Sequence, residues 1–297
     1  LPIFISDISS DGKETVYIAT DGNGVHFLSH KDQQVTRRFY HDVNDKEGIR
    51  SNSIYSLLVD DRGAVWVGHF QAGLDYSLYQ NGLFRTYAYP PLFNSANLSI
   101  RSFVNRGQEK VIGSRDGLFY INEATGVVKS FVKPVLTSDL ILTISFYQGE
   151  YYIGTYGGGM MVLNPGTLSL KYFAQGDTEL FQKGHIFCVK PDAKGNLWIG
   201  TSQGLFCYNG QTKQIKHFTS ANSQLPEGNV YEVSFDSTGK GWIATETGMC
   251  IYDPASQSLR SNVFPEGFVH RDKVRTIYED AGHNLYFIRE KGRDRKS

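Results

Sequence analysis

A short element recurs along the chain at near-constant spacing, and this recurrence limits the fold more than any other feature. Asn196-Leu197-Trp198-Ile199-Gly200-Thr201 is followed closely by Gly204-Leu205. Val65-Trp66-Val67-Gly68 precedes Gly73-Leu74, and Tyr152-Ile153-Gly154-Thr155 precedes Gly159-Met160. Lys110-Val111-Ile112-Gly113-Ser114 leads to Gly117-Leu118, and Gly241-Trp242-Ile243-Ala244-Thr245 leads to Gly248-Met249. Val16-Tyr17-Ile18-Ala19-Thr20 before Gly24-Val25 is a further copy, and Leu285-Tyr286-Phe287-Ile288 is a weaker seventh. The marker positions Ala19, Gly68, Gly113, Gly154, Gly200, Ala244 and Ile288 are separated by 49, 45, 41, 46, 44 and 44 residues. A period of ~40–45 residues is that of four-stranded propeller blades.

Each copy has the same internal order. In the second, Ile54 to Val59 is β-branched, aromatic and apolar and reads as a strand. Asp60-Asp61-Arg62-Gly63 is a turn, because aspartate bonds its own backbone and glycine accepts positive φ. Ala64 to Gly68 is a second strand, Gln71-Ala72-Gly73 a turn, Leu74 to Tyr79 a third strand, Asn81-Gly82 a hairpin turn, and Leu83 to Tyr87 a fourth strand. Asp192-Ala193-Lys194-Gly195 and Asp236-Ser237-Thr238-Gly239 repeat the first turn. Asn209-Gly210, Thr125-Gly126 and Pro165-Gly166 repeat the third, and fourth strands end on Phe39, Tyr87, Phe131, Phe173, Phe218 and Phe264.

One four-stranded sheet cannot bury both its faces, whereas radial stacking lets each cover its neighbour. The expected fold is therefore all-β: a seven-bladed β-propeller of four-stranded antiparallel blades, with the last blade incomplete. It is expected as one domain over 1–297, with blades near 1–40, 41–89, 90–133, 134–175, 176–220, 221–265 and a partial 266–297. The Gly or Ala marker would let second strands approach neighbouring backbones, and the aromatic beside it would fill the gap between blades.

Composition removes several classes of function. The 297 residues carry 30 Lys plus Arg against 30 Asp plus Glu. Zero net charge lacks the basic footprint that nucleic acids require and gives no bulk attraction to an anionic membrane. No apolar run approaches the ~20 residues that span a bilayer. The chain opens at Leu1 with no charged-then-apolar leader, which reads as a processed or cut end. Cys188, Cys207 and Cys250 have no C-x-x-C spacing and sit in apolar strands, so they read as small buried residues. The charged run Arg289 to Lys296 reads as a solvated end.

The pattern D-x-x-G-x-[LV]-W-[IV]-G-T followed by G-L, best seen in Asp192 to Leu205 and Asp60 to Leu74, resembles the two-component regulator propeller repeat. The resemblance covers almost the whole chain. It implies the periplasmic sensor region of a hybrid two-component histidine kinase of the Bacteroidetes type, a receptor class that senses oligosaccharides. No kinase, phosphoacceptor or immunoglobulin-like segment accompanies it, so the chain reads as a fragment of such a receptor or a stand-alone relative. A second propeller or sensor domain of the same receptor, or a second copy of this chain, would be its protein partner.

In a propeller, the loops before the first strand and between the second and third reach one face. Aligning the repeats nominates Tyr55, Arg101, Leu142, Phe187, Tyr231 and Arg275 from the first strands. The second-to-third loops supply His69, Phe70, Arg115, Tyr156, Gln203, Glu246 and Arg289. From these, the ligand-binding set is Tyr55, His69, Phe70, Arg101, Arg115, Tyr156, Phe187, Gln203, Tyr231, Glu246 and Arg275. Flat aromatics stack on pyranose faces, and Arg, Gln and Glu bond hydroxyls. Arg101, Arg115 and Arg275 would also select an acidic glycan. Packing between blades is the alternative for Tyr55, Phe187 and Tyr231.

H-E-x-x-H does not occur, and no catalytic residue, cofactor or metal is expected. Gly157-Gly158-Gly159 lacks the Lys-Ser/Thr of a phosphate loop, and single turn aspartates are too few for calcium. A metal-assisted lyase on the same scaffold would draw on His69, His185 and Glu246. A pure protein-interaction propeller is the other alternative.

Overall fold

The computed structural model describes residues 4–78, 83–89, 92–173, 178–261, 272–280 and 282–290. The first sheet holds β1 (Phe4–Ser10), β2 (Thr15–Asp21), β3 (Val25–Ser29) and β4 (Val35–Phe39). The second holds β5 (Ile54–Val59), β6 (Val65–His69), β7 (Leu74–Ser77) and β8 (Arg85–Thr86), and a two-stranded ribbon of β9 (Ala88–Tyr89) and β10 (Phe93–Asn94) follows. The third is β11 (Ile100–Arg106), β12 (Glu109–Ser114), β13 (Leu118–Asn122) and β14 (Val127–Phe131). The fourth is β15 (Ile141–Tyr147), β16 (Glu150–Thr155), β17 (Met160–Asn164) and β18 (Ser169–Tyr172), followed by the helix α1 (Thr178–Lys183). The fifth is β19 (Ile186–Pro191), β20 (Asn196–Thr201), β21 (Gly204–Asn209) and β22 (Ile215–Phe218). The sixth is β23 (Val230–Phe235), β24 (Gly241–Thr245), β25 (Gly248–Asp253) and β26 (Ser258–Arg260), and β27 (Lys273–Glu279) pairs with β28 (Leu285–Glu290).

Among the described residues, six sheets have the four antiparallel strands of a blade, in sequence order. The seventh repeat, expected as an incomplete blade, is a two-stranded sheet, so six complete blades are found among the described residues. The all-β expectation also misses α1. This single helical turn lies in the connection before β19, where Leu180 and Phe181 are buried in the core. The proposed Asn81-Gly82 turn, Phe264 and residues 291–296 of the charged end lie outside the described residues.

Backbone packing divides the chain into two compact units, residues 1–142 with 280–284, and residues 143–279 with 285–297. The first unit contains the first three sheets. Its core lies between them: Tyr17, Phe27, Phe39 and Phe84 with Leu57 and Val65 in one layer, and Trp66, Tyr87, Ile100 and Ile112 in the next. The turn of residues 280–284 also belongs here, and His30 Nδ1 lies 2.5 Å from Asp280 Oδ2. In the second unit the layers are Tyr152, Phe173, Phe181, Ile199 and Phe206, then Trp198, Val233, Ile243 and Cys250.

The repeat motif has a direct physical meaning. Asp192 Oδ1 accepts from the amides of Lys194 at 2.9 Å and Asn196 at 2.8 Å, while Oδ2 accepts from Trp198 Nε1 at 2.9 Å. Asp60 does the same for Arg62, Ala64 and Trp66, and Asp236 for Thr238, Lys240 and Trp242. One carboxylate thus shapes the turn and satisfies the indole donor. Burial alone would raise the Asp236 carboxyl; hydrogen bonds from Thr238, Trp242 and the Lys240 amide outweigh it and hold it below the ordinary value. The Trp198 ring then lies 4.5 Å from Tyr252 and 5.9 Å from Phe235, both in the next sheet.

At the other end of the second strand, Thr201 Oγ1 donates to the Gly204 carbonyl at 2.8 Å, and Thr20, Ser114, Thr155 and Thr245 make the same bond. Gly204 has φ +112, and a Cβ there would also strike the Phe218 carbonyl. The marker glycine sits where sheets meet. A first side-chain carbon at Gly154 would lie 2.7 Å from Ile186 Cγ2 of the next sheet, and at Gly200 2.7 Å from the Val230 carbonyl oxygen.

The second sheet departs from this pattern. His69 occupies the threonine position, is fully buried, and shares a proton with Asp75 through Nε2···Oδ2 at 2.9 Å. Arg50 Nε donates to the other oxygen of Asp75 at 2.9 Å, and the Arg50 amide to Oδ2 at 3.2 Å. Burial pushes the Asp75 carboxyl upward, but the bond and charge of His69 and the charge and amide of Arg50 outweigh it, so it lies below its ordinary value. The cysteines are free thiols, with Cys188 and Cys250 buried and Cys207 half-buried. Burial pushes Cys207 and Cys250 up to about 12.

Two outcomes follow for stability. Asp192→Ala strands the buried Trp198 indole donor and is expected to cost about 3 kcal/mol, whereas Asp11→Ala, which loses only the Lys13 and Thr15 amide bonds, should cost about 1 kcal/mol. Urea denaturation midpoints of the two variants measure the difference. Because the folded Asp75 carboxyl is depressed, its contribution is complete above the unfolded value and is lost as pH falls through the folded one. Thermal melting of the wild type should therefore fall below about pH 4 by more than that of Asp75→Asn does.

Candidate functional site

The first strand of the repeats carries an irregularity that the sequence does not announce. In the second sheet Ile54 pairs with His69 and Ser56 with Gly68, so Tyr55 is an extra residue without a partner. The same shift falls at Ile5/Asp7, Ile100/Ser102, Ile186/Cys188, Val230/Glu232 and Val274/Thr276. The bulged residues are Ser6, Tyr55, Arg101, Phe187, Tyr231 and Arg275. A bulge re-aims its side chain out of the ladder's alternation. Five of these six are positions that repeat alignment had nominated, and Ser6, which donates to the Ile54 carbonyl at 2.6 Å, is added by the structure.

In the first unit these residues meet a loop. The Tyr55 ring lies 5.2 Å from Phe70, nearly edge to face, and the Arg101 guanidinium lies 4.0 Å from the Tyr55 ring centre. Arg115 is held nearby by its amide bond to the Ser99 carbonyl at 3.0 Å. Burial depresses the Arg101 pKa, and the Arg115 charge adds to that depression, with Tyr55 opposing it. His69 lies apart from this group, buried against Asp75. Leu142, nominated with the others, is half-buried at the start of β15.

In the second unit a longer file forms. Tyr156 is 51% exposed and lies 4.1 Å from the His185 ring at an interplanar angle of 31°. His185 lies 6.2 Å from Phe187, and Phe187 lies 5.1 Å from Tyr231. Arg275 and Lys273 stand over Tyr231 at 4.6 Å and 5.1 Å. Asn229 Nδ2 donates to the Tyr231 hydroxyl at 3.1 Å and to Glu246 Oε2 at 2.9 Å. The structure therefore brings together Tyr156, Phe187, Tyr231, Glu246 and Arg275. Gln203 is exposed and stands outside the file, its carbonyl accepting from His217 Nε2 at 2.8 Å. Arg289 lies in β28, and its side chain is outside the described residues.

Sequence reasoning missed His185, Asn229 and Lys273 as members of this file. His185 immediately precedes a first strand and Asn229 occupies the equivalent place in the next repeat, so alignment two residues earlier would have found both. The His185 Nδ1 is buried without a hydrogen-bond partner among the described residues. Rings, amide, carboxylate and cations in one partly exposed file suit a ligand with apolar faces and many hydroxyls. Among the described residues no three His, Cys, Asp or Glu side chains group as metal ligands, and no helix is long and apolar enough to cross a membrane.

Comparison with known proteins agrees with the repeat. A family described as "Two component regulator propeller" matches residues 48–71 and 181–203. No curated protein matches the chain. It is similar in structure to the extracellular domain of a candidate hybrid two component system, BT3049 of B. thetaiotaomicron, with TM-score 0.77 at 23% identity, covering 96% of this chain and 38% of that one. The extracellular domain of BT4673, a candidate one component system of B. thetaiotaomicron, gives 0.74 at 18% identity, with coverages of 96% and 37%. PorZ, a bacterial surface component of the type-IX secretion system of Porphyromonas gingivalis, gives 0.63 at 14% identity, with coverages of 95% and 51%. This chain spans little more than a third of the first two. Its fold is that of a β-propeller, and two of its segments match the two component regulator propeller family.

Proposed function

We propose that this chain is the ligand-sensing propeller portion of a two-component sensor kinase, lying on the extracellular or periplasmic side, and that it binds an oligosaccharide. The observation that carries the reading is the file from Tyr156 through His185 and Phe187 to Tyr231, flanked by Asn229, Glu246, Lys273 and Arg275. Rings alternate there with groups that bond hydroxyls, as a sugar chain requires. The similarity to extracellular domains of two-component proteins supports the sensor role. Such a propeller passes its signal to the rest of the receptor, to a second propeller or to a second copy of itself, by stabilising one of two arrangements.

In the same reading β27 and β28 are the inner half of a seventh blade. They share the bulge, at Arg275, and the aspartate turn, at Asp280, with the complete blades.

Isothermal titration against plant and host glycan oligomers tests the proposal. At least one oligomer is expected to bind, and Tyr231→Ala and Tyr156→Ala are each expected to weaken it about tenfold, ~1.4 kcal/mol. Silence across the whole panel, or unchanged affinity in both variants, would contradict it.

A further inference from the structure

Resting on the reading of this chain as an oligosaccharide binder, we infer that Arg101 and Arg115, beside Tyr55 and Phe70 in the first unit, form an anion subsite of their own that takes the carboxylate or sulfate group of an acidic oligosaccharide. Three observations on the first unit carry it.

The first is an uncompensated charge. Arg101 is half-buried, and among the described residues it has no carboxylate partner. The other cations drawn into the same unit do have one: Arg50 meets Asp75 at 2.9 Å, and Lys110 meets Glu123 at 2.6 Å. A cation taken out of water without a counter-charge is costly, and proteins rarely leave one so.

The second is the neighbour. The charged group nearest in effect to Arg101 is another arginine, Arg115, which is exposed and also has no ion-pair partner among the described residues. The Arg115 amide bonds the Ser99 carbonyl at 3.0 Å, which keeps the two residues close; their like charges repel, and an anion bound to both removes both penalties at once.

The third is geometry. The Arg101 guanidinium carbon lies 4.0 Å from the Tyr55 ring centre, a contact that uses no N–H donor. Among the described residues no acceptor takes the Arg101 N–H donors. One of them, Nε, is buried with no acceptor among the described residues. The bulge after Ile100 fixes the backbone from which Arg101 projects. The arrangement is thus a pre-positioned fork with donors to spare, next to the ring pair of Tyr55 and Phe70.

The test compares wild type, Arg101→Gln and Arg115→Gln by isothermal titration against three sets of probes. These are oligomers of galacturonic acid and sulfated galactose oligomers, neutral galactose oligomers of equal length, and tricarballylate as a carboxylate without a sugar. The expected result is that an acidic oligomer binds at least tenfold more tightly than its neutral counterpart, and that each substitution removes the difference. The carboxylate and sulfate arms show which anion is taken. The melting temperature of Arg101→Gln should hold or rise, since a stranded charge is removed. If Arg101→Gln fails to fold, Arg115→Gln, altered on the surface, decides alone.

Equal binding of neutral and acidic oligomers, with both variants like wild type, overturns the subsite and leaves the sugar reading standing. Binding of tricarballylate that both variants lose, with no sugar bound, sustains the anion subsite and overturns the sugar reading. No binding of any probe overturns both.

Discussion

A single carboxylate, bonded to two backbone amides and one indole, fixes the geometry of three of the six complete blades. In the second, fifth and sixth sheets that carboxylate is Asp60, Asp192 or Asp236. It closes the hairpin between the first two strands and so sets their register. Register matters because a one-residue slip would turn every side chain to the opposite face. It also holds the tryptophan whose other side packs the neighbouring sheet, as Trp198 does against Phe235 and Tyr252. The third and fourth sheets reach similar pairing by two-residue turns, with Gly107 at φ 67 and Gln148-Gly149 at φ 47 and 85. Different turn chemistry therefore serves the same hairpin.

The consequence appears at the far end of those strands. With the hairpin register held at the turn, the bulge falls at the same place in repeat after repeat. The bulged side chain is freed from packing constraints that bind its neighbours, and its identity varies: Tyr55, Arg101, Phe187, Tyr231, Arg275. Where the aspartate turn is kept, its constancy contrasts with the variation at the bulge, the pattern expected of a rigid scaffold that presents variable side chains. In the second unit the outcome is a continuous file of rings. In the first it is a shorter group with a stranded cation.

Much of this was legible in the sequence. The glycine or alanine marker, the aspartate turns and the terminal aromatics gave the blades, because each reports a steric or hydrogen-bonding demand that few residues meet. The bulge was not legible, since it is a property of pairing between two strands and leaves no residue signature. Its positions were nominated all the same, because alignment by repeat needs no knowledge of register. His69 misled for a related reason: repeat alignment placed it in the second-to-third loop, whereas its partner Asp75 lies six residues on and could be seen only once the strands were paired. The helix over Thr178–Lys183 was hidden by its length, as one turn gives too few residues for a helical period.

The central claim is that, in the second unit, the repeat-equivalent bulge and loop side chains make a recognition surface while the tryptophan layer only supports it. Side-chain NMR with labelled aromatic rings, titrated with the glycan panel, tests this most directly. The account predicts shifts of the Tyr156, Phe187 and Tyr231 rings with saturating dependence on sugar, while Trp198, Phe218 and Tyr252 hold their positions. Shifts confined to the tryptophan layers, or none at any ring in the presence of a bound glycan, would contradict it.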